Sequence, residues 1–300
     1  MDRITSSAKH NDGRESSGRW LAITALGWLA MTLGLFTATV AGNAVRASGG
    51  ADNTISVVQA MTAVLLIVPA AYLIQRRFRL TAKLLPLTPA AFLHLLGGGA
   101  SALLMGGIGF MITGVLGWTT TIAWHFSVDL LLAIAFSTCI AFLYEAMPEE
   151  LSMRGIVYSG LRLRLPAYAA YGAQVLLFVL VPVTVNQLQA WSGLDRGNSI
   201  NAEYVIMLLC FGTVLQLWRS LTGSLWASIG FHLAYLAMAR FVILQRDRSI
   251  LTYNELEAGT GPVVIQFGVV IVGTAGLLLL FNLWRRRMPG PYRMNNCAGR

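Results

Sequence analysis

Long uncharged apolar runs recur along the whole chain, broken by short polar stretches, and each run predicts a helix that crosses a bilayer. The first covers about Trp20 to Ala41 and the second about Thr54 to Ile74. A third, about Ala91 to Trp118, holds Gly97, Gly98, Gly99, Gly106, Gly107, Gly109 and Gly114, small residues that let helix backbones approach closely in a membrane. The fourth begins near Phe126 and continues to about Leu161, longer than the roughly 20 residues one perpendicular span needs. Four more cover about Ala167 to Leu188, Tyr204 to Leu217, Thr222 to Leu244 and Pro262 to Trp284.

The polar stretches carry the punctuation. Residues 1–19 are polar and mixed in charge, which predicts an unstructured arm. The apolar stretch that follows is longer than a signal-peptide core, so a retained first helix is expected, although Ala41-Gly42-Asn43-Ala44 mimics a cleavage site. Pro86 and Pro89 mark a loop after the basic cluster Arg76, Arg77, Arg79 and Lys83. Arg285-Arg286-Arg287 opens a basic tail over 285–300, leaving 20–284 as a single transmembrane domain without internal repeat.

Composition agrees. The 300 residues are 56% hydrophobic and 12% charged, with a mean hydropathy of +0.63, where a soluble domain is roughly a quarter charged. The expected class is an all-α polytopic membrane protein whose first partner is the lipid bilayer. The net charge of +9 then describes topology and gives no reason to expect nucleic acid. With eight spans and the N-terminus in the cytoplasm, the 22 Lys and Arg residues divide 17 to 5. The inner set is four in the arm, four at 76–83, three at 154–164, Arg219 and five from 285 onward. The outer set is Arg46, Arg196, Arg240, Arg246 and Arg248. This bias puts both termini inside. Three cysteines, Cys139, Cys210 and Cys297, have no metal or disulfide spacing. The last four residues, Cys297-Ala298-Gly299-Arg300, match a prenylation box only in length.

One stretch does not fit an ordinary span. Met147-Pro148-Glu149-Glu150-Leu151-Ser152-Met153-Arg154 follows directly on the apolar run of the fourth segment. Position alone allows two readings: charges in water at an interface, or ionisable groups held in the membrane for function. Glu149 lies 13 residues inward from Arg162, and His232 lies 13 residues inward from Arg219. At 1.5 Å per residue both are about 20 Å from the same edge. The long fourth segment would then carry its carboxylates into the membrane, kinked at Pro148. Glu150 and Arg154, at i and i+4, can pair and leave Glu149 free to face a cavity. His232 by itself equally suits a histidine hydrogen-bonded between helices. Glu145, one turn before Glu149, is either a second cavity carboxylate or a like charge. His125 and Asp129, also i and i+4, fall about 30 Å away and belong to the outer interface.

Glu149-Glu150-Leu151-Ser152-Met153-Arg154-Gly155 resembles the EExxxR motif of the CPBP family of intramembrane proteases, which includes the type II CAAX prenyl proteases and bacterial bacteriocin-processing and immunity proteins. Leu221 to His232, with Thr222-Gly223-Ser224-Leu225-Trp226 leading in, resembles that family's later motif, and the likeness covers about residues 126–245. The resemblance implies hydrolysis of peptide bonds in membrane-associated substrates by a glutamate-activated water. Carried over by position, Glu149 is the base, Glu150 with Arg154 the supporting pair and His232 the later histidine. It also implies a multi-pass protein of a bacterial cytoplasmic membrane.

The chain departs from the pattern twice. The middle motif FxxxH matches best at Phe178-Val179-Leu180-Val181-Pro182, with proline in place of histidine. The stretch His232-Leu233-Ala234-Tyr235-Leu236 ends in leucine where asparagine is expected. Zinc, a common assignment in the family, needs three protein ligands, and the recognisable set supplies Glu149 and His232 alone. Asn186 and Gln187 can add polar contacts but are poor zinc ligands. The residues therefore leave two expectations open: an active endopeptidase, or a catalytically impaired member acting as a membrane scaffold or immunity-type protein.

Overall fold

A computed structural model describes residues 4–81, 84–194, 200–244 and 248–287. Lys83, Arg196, Arg246 and the prenylation-like end of the chain lie outside the described residues. Among those described, eight helices are long and apolar enough to span a membrane, and the chain is a multi-pass integral membrane protein. They are α1 (Ile4–Ala47, with its apolar part Gly18–Ala47), α2 (Asp52–Arg77), α3 (Pro89–Val115), α4 (Val128–Arg162), α5 (Ala167–Trp191), α6 (Ala202–Thr222), α7 (Leu225–Ile243) and α8 (Gly261–Arg285). The eight predicted spans correspond one to one with these helices. Two local expectations change. The arm expected to be irregular continues α1 back to Ile4. The segment between α3 and α4 forms a strand, β1 (Thr119–Trp124), which pairs antiparallel with β2 (Leu251–Glu255).

The helix starts are set by side chains. Thr88, Ser127 and Asn201 accept backbone N–H bonds from Ala91, Leu130 and Tyr204, capping α3, α4 and α6. The α6–α7 turn is built from the Thr-Gly-Ser sequence. Gly223 takes φ +70°, a left-handed conformation that ends α6 without a Cβ clash. Thr222 Oγ1 accepts from Ser224 N–H, and Ser224 Oγ accepts from Trp226 N–H. The Trp226 indole then donates to the Pro86 carbonyl at 2.9 Å, fixing the start of α7 to the loop before α3.

The glycines of α3 serve helix packing. Gly98 lies so close to α7 that a Cβ would stand 2.0 Å from the Ala227 carbonyl oxygen. Gly230 returns the contact, 2.0 Å from the Leu95 carbonyl oxygen. Backbones this close gain dispersion and Cα–H···O contacts that larger side chains would prevent. His232 lies two residues past that contact.

At the opposite end of the bundle the two-stranded sheet is tied to the helices. The Tyr253 hydroxyl donates to the Ile243 carbonyl at the end of α7. The Glu255 carboxylate accepts the N–H groups of Gly259 and Gly261, each at 2.7 Å, where α8 begins.

Inside α4 the regular hydrogen-bonding pattern gives way. Wider π-helical turns occupy Phe142–Ala146 and Glu150–Val157, on either side of Met147–Glu149. Pro148 has no N–H to offer the preceding turn and its ring presses on that turn. The wider turns keep the helix continuous across it. They also turn the acidic stretch away from the register that a uniform α-helix would give it. Such turns concentrate at functional sites.

Candidate active site

Glu150 and Arg154 are the charged pair of the core. Arg154 Nη1 donates to Glu150 Oε1 at 3.1 Å, and neither side chain has any exposed surface. In a medium this apolar each ion would be very costly alone, so each requires the other. The guanidinium also lies over the ring of Phe178 on α5, 4.2 Å from its centroid. Gly212 on α6 gives this stack room: a Cβ there would stand 3.0 Å from the Phe178 ring and 3.5 Å from Arg154 Nη2. Phe178, the aromatic of the middle motif, thus contributes as the platform for the arginine. A desolvated cation over an aromatic face gains about 2 kcal/mol. The Phe178→Leu protein should therefore lose about that much stability in a detergent unfolding titration, while Phe178→Tyr, which keeps the ring, should lose much less.

The third member comes from α7. His232 Nδ1 stands 3.7 Å from Glu150 Oε1, in contact but beyond hydrogen-bond length, and the imidazole is buried. The Phe211 ring meets it edge-on at 4.9 Å, fixing the imidazole plane. The structure thus brings Glu150, Arg154 and His232 together. Glu149 is half-buried and within electrostatic range of His232, Glu145 and Arg154.

Near this group, toward the end of the bundle that carries the two-stranded sheet, lies a cavity of about 190 Å³ whose wall includes Gln59, Ser137, Tyr144, Glu145, Leu236 and Arg240. The carboxylate in its lining is Glu145; Glu149 lies one helical turn deeper. Leu236, at the position where the resemblance expects asparagine, presents an apolar wall. Pro182 sits inside α5, which runs unbroken across it. Asn186 and Gln187 are one turn farther along that helix, half-buried and exposed respectively. His125 and Asp129 line a second opening by the two-stranded sheet, where His125 Nε2 and Thr252 Oγ1 are 2.9 Å apart.

The donor set does not fit a zinc ion. Among the described residues no three His, Cys, Asp or Glu side chains come together as a metal site. Glu150, the carboxylate nearest His232, is already held by Arg154.

Two residues of the cavity were not singled out from the sequence as site residues. The sequence places Arg240 among the charges of the outer loops and gives Glu145 two readings. A signal for Arg240 was present, because His232, Leu236 and Arg240 stand at i, i+4 and i+8 on one face of α7.

Residues 131–238 match the family model described as Type II CAAX prenyl endopeptidase Rce1-like. This segment of the chain is an Rce1-like domain of the CPBP family. It runs from α4 to α7, so it includes every residue of the Glu150–Arg154–His232 group and stops two residues short of Arg240. The domain supports a function of the CAAX-type intramembrane protease kind. No curated protein and no solved structure matches the chain at significance.

Proposed function

We propose that this protein is an intramembrane endopeptidase that hydrolyses peptide bonds of membrane-associated substrates with a water activated by Glu149. The observation that carries this reading is the buried contact of Glu150 with both Arg154 and His232 within the Rce1-like segment, near a cavity whose lining includes Glu145 and Leu233. An ion pair without exposed surface is costly to keep when apolar residues would fill the same volume, and such pairs in membranes mark functional sites.

In the reading proposed, Glu149 takes a proton from water as the water oxygen bonds to the scissile carbonyl carbon. His232 faces the oxyanion that forms, and Glu150 with Arg154 holds the imidazole in place. The C–N bond then breaks, and the proton held by Glu149 passes to the leaving amine. No step requires a metal ion. The N-terminal arm and the basic tail face the cytoplasm in this reading, as the 17-to-5 charge division expects, and the membrane is the cytoplasmic membrane of a bacterium.

A second reading has its own support. Pro182 and Leu236 replace the two polar residues that the family pattern expects, and Leu236 makes the cavity wall apolar. These changes favour a member that keeps the fold and serves as a membrane scaffold or immunity-type protein. Purified wild-type protein and Glu149→Ala, each incubated with a library of membrane peptides, separate the two. Fragments released by the wild type and absent with Glu149→Ala are expected. Identical traces from both proteins would overturn the protease reading and leave the scaffold reading standing.

A further inference from the structure

Toward the end of the bundle away from the sheet, α4, α5 and α6 enclose polar side chains that the protein itself leaves unpaired. Arg154 gives Nη1 to Glu150 Oε1, while its buried Nε and Nη2 have no partner among the described residues. Gln174 on α5 and Gln216 on α6 have no exposed surface, and neither the amide nitrogen nor the amide oxygen of either meets a hydrogen-bonding group there. Buried polar groups in folded proteins are nearly always paired, and an amide left bare in a core is costly.

These three residues share one level. Arg154 lies eight residues from Arg162 at the end of α4, Gln174 seven from Ala167 at the start of α5, and Gln216 six from Thr222 at the end of α6. At 1.5 Å per residue each is about 9–12 Å from the same end of the bundle. The contacts set the facing. The Phe178 ring and Gly212 meet beside the Arg154 guanidinium. Gln174 stands one turn before Phe178, and Gln216 one turn after Gly212. Because α5 and α6 run antiparallel, both glutamines lie one turn from that meeting in the same direction, on the faces that meet. The Tyr171 hydroxyl donates to the Thr213 carbonyl at 2.8 Å, holding α5 to α6 beside them.

We infer that Gln174, Gln216 and the free edge of Arg154 form a binding site for ordered water inside the bundle. The donor set selects this ligand. The guanidinium offers N–H donors only, while each amide offers N–H donors and an acceptor oxygen. Water accepts from Arg154 and donates to a glutamine oxygen from one position, which is how buried waters join groups that lack a protein partner. A cation would face the guanidinium. An anion would face two amide oxygens, with Arg154 already neutralised by Glu150. The neighbouring positions Ala170, Phe178, Phe211 and Leu215 are buried and apolar, so they supply no competing side-chain partner. Water held there fastens the edge of Arg154 that Glu150 does not, and keeps the guanidinium flat on Phe178. The site stands whether or not the protein cleaves peptides.

Hydroxyl radicals made by a short X-ray pulse oxidise side chains that touch water, bulk or bound, so footprinting reads this site directly. With the full chain in lipid nanodiscs, Phe178 is expected to be oxidised well above Phe231, which is wholly buried against α3. Gln174→Leu combined with Gln216→Leu should lower Phe178 oxidation to the Phe231 level. Gln216→Asn, which keeps an amide, should retain part of it. Helical circular dichroism and the unfolding midpoint check that each variant is folded, and each single leucine variant serves if the double variant does not fold. Phe178 oxidised no more than Phe231 in the wild type would overturn the inference, leaving direct side-chain bonds to pair these groups. Oxidation of Phe178 that survives the leucine substitutions in a folded protein would overturn it as well, because the glutamines would not be what holds the water.

Discussion

Replacing Arg154 with methionine is expected to destabilise the folded protein by about 3–5 kcal/mol, the cost of leaving one member of a buried ion pair without its partner. Both side chains are wholly buried, so Glu150 has no route to solvent when the guanidinium is removed. His232, 3.7 Å away, is charged only when protonated and cannot replace a permanent cation. Methionine also surrenders the cation over the Phe178 ring. The double variant Glu150→Gln with Arg154→Met removes both ions and should recover a large part of the loss. Arg154→Lys should fall between them, since an ammonium supplies the charge without the planar face that lies on Phe178. Unfolding midpoints in a mild detergent measure all four proteins. If the double variant is as unstable as Arg154→Met, the pairing is not what holds this part of the core.

That pair also shows how far the chain could be read without coordinates. Its spacing, Glu150 to Arg154, is local to one helix turn, and the contact appears at 3.1 Å. The meeting with His232 depends on two helices crossing the membrane from one edge. Counting residues from Arg162 and Arg219 approximated it because helix rise is nearly constant and the spans begin at basic residues. The eight spans were legible for a related reason, since bilayer thickness imposes a minimum length on every run.

What escaped depends on contacts between distant segments or on irregular backbone. Thr119–Trp124 is rich in β-branched residues, but its partner is Leu251–Glu255, and nothing local indicates the pairing. The π-helical turns beside Pro148 rotate Glu145 and Glu149 in a way no uniform helical wheel reproduces. The use of Phe178 is equally illegible in its own segment, because the guanidinium on its face, Arg154, belongs to another helix. The cavity joins residues from α2, α4 and α7, so its lining is a property of packing.

The packing that delivers His232 gives the second large effect. Gly230→Ala is expected to lower stability by about 1–3 kcal/mol, the usual cost of overpacking, and to reduce any peptidase activity more than the stability loss explains. The added Cβ would stand 2.0 Å from the Leu95 carbonyl oxygen and 3.1 Å from the Gly99 nitrogen. Both are backbone atoms of α3, so no side-chain rotation relieves the clash and the helices must separate. His232 lies two residues along α7, so a displacement that clears Leu95 also moves the imidazole from Glu150. Gly98→Ala should act alike from the other side, against the Ala227 carbonyl oxygen at 2.0 Å. Gly97 and Gly107, on the same helix, would meet no atom within 4 Å. Alanine at either should be neutral or slightly stabilising, because it favours the helix over glycine by up to about 1 kcal/mol. Unfolding titrations of the four alanine variants, with peptidase rates at a temperature where all remain folded, provide the comparison. If Gly230→Ala matches Gly97→Ala in both measurements, the close approach of α3 and α7 does not set the position of His232.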